Sequence, residues 1–125
     1  MRQITALIAL SIVFASSVCF AGLRAEMIHG KWALVGVAKS ENSRAEPWQY
    51  TPIAWEFISQ KEMVFTYGTI ESELTYTIES NDIKMNKFGV VTTYTVKKIT
   101  SESMIWHNPA MNNYYHVKKT NKISN

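Results

Sequence analysis

Ser72-Glu73-Leu74-Thr75-Tyr76-Thr77-Ile78-Glu79 alternates without a break, with Leu74, Tyr76 and Ile78 on one side of an extended chain and Glu73, Thr75, Thr77 and Glu79 on the other. A period of two marks a strand with one face in a core and one in water. Asn81-Asp82 then turns the chain into Ile83–Asn86, and Lys87-Phe88-Gly89 turns it again into Val90–Ile99, whose Tyr94 and Val96 keep the interior phase.

The same grammar extends in both directions. Upstream, Ile53–Ser59 pairs through Gln60-Lys61 with Met63–Tyr67, so that Trp55 and Phe57 share a face with Met63 and Phe65. Further upstream, Trp32–Ala38 places Trp32 and Leu34 on one face and Ala33, Val35 and Val37 on the other, which predicts cover on both sides. Downstream, Met104–His107 and Tyr114–Lys118 flank a loop over 108–113, and a polar tail runs from Lys119 to Asn125. About eight short strands joined by hairpin-length links predict an all-β antiparallel meander. Closure into a β-barrel hides the two edges best, and a two-sheet sandwich is the alternative.

The N-terminus has a different character. Met1-Arg2-Gln3 precedes an uncharged run from Ile4 to Gly22 that ends in Cys19-Phe20-Ala21, the layout of a secretory signal peptide cleaved after Ala21. A second small-residue site ends at Ala25, but Arg24 lies within its triplet. A retained anchor needs about 20 strongly apolar residues, and Ser16 and Ser17 interrupt this run. A lipid-modified Cys19 is disfavoured by Val18 before it. The expected organisation is therefore a signal peptide over 1–21 and one domain over 22–125, with its core over 30–118. The mature protein is expected in the periplasm or outside the cell, without membrane insertion.

Removal of the signal takes the only cysteine, so stability has to come from a single core. It also takes Arg2, leaving a small excess of the remaining Lys and Arg over the 10 Asp and Glu. That balance gives no case for nucleic acid.

Gly30-Lys31-Trp32-Ala33-Leu34-Val35 resembles the Gly-x-Trp-x-Leu opening of lipocalin-like domains, where the Trp closes one end of the barrel. Tyr76–Met85 and Tyr94–Trp106 resemble the hairpin rhythm of small bacterial members, and the likeness covers most of 30–118. The resemblance implies a cup for a small apolar ligand, lidded by the long connection Ser40–Pro52. The chain departs from full lipocalins in its length, its lack of disulfides and the absence of a predicted C-terminal helix. In a barrel this small, side chains filling the interior are the alternative to a cup.

Catalytic and metal chemistry find little support in the residue pattern. His29, His107 and His116 lack metal-site spacing and have no cysteine partner in the mature chain, although the last hairpin can bring His107 toward His116. Glu71 and Glu73 share a strand face, with Glu56 and Glu62 near another hairpin, but the alternation turns Glu73 to solvent, where its pKa is not raised for acid–base work. No phosphate loop or nucleophile elbow occurs. The expectation is a protein that is not an enzyme and needs no cofactor.

The candidate binding residues are aromatic. Trp48 and Tyr50 lie in a proline-bracketed loop where they either anchor a ligand or partner, or fold back over the barrel end. Trp32 and Trp55 line the expected interior, and Tyr115 with Met111 and Tyr114 forms a second patch. Two functions follow from these residues. One is an exported lipocalin-like binding protein for a small apolar ligand. The other is a periplasmic inhibitor or immunity protein that blocks an envelope-targeting enzyme by protein–protein contact. A flat, uncovered apolar sheet would instead point to a homodimer.

Overall fold

The computed structural model describes residues 22–120. The expected signal segment and positions 121–125 lie outside the described residues. The elements are a one-turn helix α1 (Ala25–Ile28) and nine strands: β1 (Gly30–Ala38), β2 (Glu46–Pro47), β3 (Ile53–Phe57), β4 (Glu62–Tyr67), β5 (Ile70–Glu79), β6 (Asp82–Lys87), β7 (Val90–Ile99), β8 (Ser103–Asn108) and β9 (Asn113–Lys119).

Strands β1 and β3 to β9 pair in sequence order, every pair antiparallel, and β9 returns to β1, so the sheet closes as an eight-stranded barrel with β2 added beside β1. Closure leaves no open edge at the seam. The barrel reading therefore holds over the sandwich, and the eight strands read from periodicity are its staves.

Cross-strand pairs repeat the predicted faces. Trp55 lies opposite Phe65 and Phe57 opposite Met63; Tyr76 lies opposite Met85 and Ile78 opposite Ile83. The lower barrel is filled with aromatic rings: Phe57 and Tyr76 lie 5.0 Å apart, and Trp55 and Trp106 lie 4.7 Å apart, both edge-on. Helix α1 plugs that end, with Ile28 wholly buried and Leu23 inside the core. The Trp32 indole N–H donates to the Ile28 carbonyl at 2.8 Å, and the Leu23 N–H donates to the Ser80 carbonyl at 3.1 Å. Gly30 opens β1 at φ +117°, a conformation open to glycine, and a Cβ there would stand 2.7 Å from Lys119 Cε. Its place before Trp32 thus has a local cause.

Strand β1 corrects one expectation. Its pairing to β9 shifts register between Leu34 and Gly36, so one extra residue flips the phase. Val37 now lies opposite Tyr115 and packs on the core, while Val35 is 42% exposed and not covered. Gly36 and Ala38 turn outward and are buried, and a Cβ on Gly36 would meet Ala45 Cβ and the Glu46 carbonyl, each at 3.1 Å. The bulge brings the loop after β1 down onto the barrel wall. The polar tail also begins later than expected, since Lys119 ends β9 and the Thr120 N–H donates to the Lys31 carbonyl at 2.9 Å. Helix α1, too short for a sequence period, was not anticipated.

Candidate functional site

At the end opposite α1 the inward residues become smaller and more polar, and the barrel opens. β5 brings Ser72 inward above Leu74, β6 brings Lys87 above Met85, and β7 brings Thr92 above Tyr94. With Trp55 and Phe65 from β3 and β4, and Phe88 and Val90 at the rim, Leu74, Met85, Lys87, Thr92 and Tyr94 line a cup of about 440 Å³. That volume lies within the range of small-molecule sites, about 300–1,000 Å³. Thr92 holds one of the lining positions with a small side chain, which leaves room there.

Tyr94 and Trp55 floor the cup, 6.2 Å apart edge-on. Burial, with the neighbouring Tyr115 hydroxyl adding to it, pushes the Tyr94 phenol up to about 12, so the ring stays neutral. Tyr115 touches both floor rings, at 6.2 Å from Trp55 and 5.8 Å from Tyr94, and divides the cup from a second depression of about 980 Å³. This second hollow lies between the loop after β1 and the loop between β8 and β9, with Trp48, Tyr50, Met111 and Tyr115 in its walls.

The sequence candidates divide between these places. Trp55 lines the cup and Tyr115 the second hollow. Trp48 folds back: its indole N–H donates to the Thr51 carbonyl at 2.8 Å and its ring packs against the core. Tyr50 stands edge-on to Trp48 at 5.0 Å and is 74% exposed, so the two loop aromatics split the alternatives between them. Trp32, on β1, packs beneath the plug with its indole bonded to Ile28, and lines neither hollow. The loop Ser40–Pro52 walls the second hollow and contributes no lining residue to the cup, so the expected lid does not cover it.

The rim carries a conformational cost. Lys87 and Val90 pair across the two-residue turn Phe88-Gly89, in which φ is +53° at Phe88 and +87° at Gly89. Two successive positive φ values make the hairpin turn that favours Asn-Gly. A bulky ring in the left-handed region costs about 1–2 kcal/mol, and Phe88 is also 93% exposed. Among the described residues, seven of the nine exposed large apolar side chains stand at this end: Tyr50, Tyr67, Ile70, Phe88, Val90, Val91 and Met111.

His107 lies opposite Tyr114, with rings 4.6 Å apart, and bonds Asn112 Oδ1 at 3.2 Å, while His116 lies opposite Ile105. Among the described residues, no three His, Cys, Asp or Glu side chains are grouped to hold a metal. Glu56, Glu62, Glu71 and Glu73 are all exposed.

Of the cup's lining only Trp55 was among the binding candidates; at its mouth Lys87, Phe88, Val90 and Thr92 were missed. Their signal was available: Ile83, Met85 and Lys87 share one phase, as do Thr92, Tyr94 and Val96. A polar residue in an interior phase near a strand end marks a mouth. No family model, curated protein or solved structure matches this chain.

Proposed function

We propose that this chain is a non-catalytic, lipocalin-like binding protein that acts in the periplasm or outside the cell and takes a small apolar ligand in the mouth of its barrel. The observation carrying this reading is the cup of about 440 Å³, whose lining is apolar apart from Lys87 and Thr92, in a barrel otherwise packed with its own rings. An apolar chain or ring entering it displaces water from Trp55, Phe65, Leu74 and Met85, a gain of roughly 25 cal/mol per Å² buried. The export signal over 1–21 and the Gly30-Lys31-Trp32 opening fit the same reading.

A second reading draws on the ring of exposed apolar tips. Tyr50, Ile70, Phe88 and Met111 come from four different connections or strand ends around the open end and are exposed, which suits the anchors of a protein interface. In that reading the open end blocks an envelope-targeting enzyme by contact.

Native mass spectrometry of residues 22–125, recovered from the protein's own periplasm or medium, separates the two. A retained small molecule, lost in Leu74→Glu, supports the cup. A ligand-free species carrying another protein supports the interface. A bare protein that also fails to take up apolar probes overturns the cup.

A further inference from the structure

We infer that the cup is built for a single-chain amphiphile with a negative head group, and that the Lys87 ammonium is its head-group site; this rests on the apolar-cup reading above. Lys87 is the one charged side chain among the cup's lining residues. It is inward by phase, two residues beyond buried Met85 and four beyond buried Ile83, and its cross-strand partner is the apolar Val90. A lysine at a hairpin end ordinarily faces water on the outer surface; this one stands over an apolar hollow.

Its polar contacts leave the charge unmatched. Lys87 Nζ donates to Ser72 Oγ at 3.2 Å. Among the described residues, the side-chain ion pairs are Arg24–Glu26 and Lys84–Glu79, and no carboxylate approaches Lys87 within pairing distance. Ser72 on β5 and Thr92 on β7 share its inward phase. The wall from β5 to β7 therefore has a polar tier of Ser72, Lys87 and Thr92 at the mouth, and an apolar tier of Leu74, Met85 and Tyr94 below. A molecule matching both tiers has an apolar chain and an anionic end. Lysine binds such an end as a point charge with three donors, so a carboxylate, sulfate or phosphate monoester meets the same requirement.

Four residues of strand separate Val90 at the rim from Tyr94 on the floor, about 13 Å along a tilted strand and so roughly 10 Å of depth. That depth suits a medium-length chain. The test is calorimetric titration of residues 22–125 with decanoate, 1-decanol and decyltrimethylammonium, in the parent protein and in Lys87→Met and Lys87→Arg. Decanoate is expected to bind up to about fivefold tighter than decanol, the upper end for an exposed charged pair, and the cation weakest. Lys87→Met should erase the preference of decanoate over decanol, whatever it does to the affinity of both; Lys87→Arg should keep the order. The margin should shrink as salt is added. Equal binding of decanoate and decanol, or a decanoate preference surviving Lys87→Met, overturns the head-group site and leaves the cup standing. Failure of all three probes overturns the cup and the head-group site together.

Discussion

Phe88 holds a left-handed backbone and is 93% exposed, two costs at one position that local folding does not require. Phe88→Asn should therefore raise stability by about 1 kcal/mol, since Asn tolerates this conformation, while weakening uptake of apolar probes at the rim. Denaturant titration beside probe binding reads both, and loss of stability would sink the claim of strain. The turn at Lys87-Phe88-Gly89 was legible from Gly89, but the sign of φ at Phe88 was not, because no local pattern predicts an aromatic there. His116 carries a second prediction. Burial, and then the charge of Lys98, holds its imidazole below the ordinary value of 6.5, and its Nε2 is buried without a hydrogen-bond partner. The unfolded chain takes up the proton more readily, so this contribution is fully present above pH 6.5 and is lost as pH falls from there through the folded-state value. Melting temperatures across that window should fall with acid, and less steeply in His116→Gln; parallel curves would remove His116 as the cause.

Strand β1 was legible over Trp32–Leu34 and misread beyond it, because a bulge is invisible to a period-two count. The register shift at Leu34/Gly36 carries Val37 inward and turns Gly36 toward the following loop. Gly36 lets β2 seat at this point: the Trp48 N–H donates to the Val35 carbonyl at 2.9 Å. Replacing a strand glycine by a β-branched residue ordinarily favours the strand. Gly36→Val should do the opposite, costing about 1–3 kcal/mol by overpacking against Ala45 and the Glu46 carbonyl. Hydrogen exchange at the Trp48 amide should accelerate with it, while amides in β5 and β6 keep their protection. Unchanged exchange at Trp48 would mean that the loop seats by other contacts. The loop's length and prolines marked it as unusual, but nothing local told that Trp48 would turn in and Tyr50 out.

Across the whole barrel, closure was legible from the logic of edges and not from any pairwise signal, since β1 and β9 are separated by most of the chain. The plug at the far end was not legible at all: Ala25–Ile28 is a single turn, and Leu23 stands just beyond the segment that reads as a leader. Yet Leu23 is 6% exposed within the core, its N–H bonded to Ser80, and the barrel end depends on it. On stability this favours the expected cut after Ala21 over one after Ala25. A cut after Ala21 leaves Leu23 in place, whereas a cut after Ala25 removes it and begins the chain inside α1. Burying a leucine contributes about 1.5–3 kcal/mol. For a domain of this size each kcal/mol moves the midpoint by about 4–8 °C. Protein beginning at Glu26 should therefore melt roughly 6 °C or more below protein beginning at Gly22, and Leu23→Ala in the longer form should reproduce most of the loss. Equal melting of the two forms would show that Leu23 does not seal the barrel. Sequencing the N-terminus of exported protein should return Gly22, because a chain starting at Glu26 leaves the Trp32 end of the core open to water.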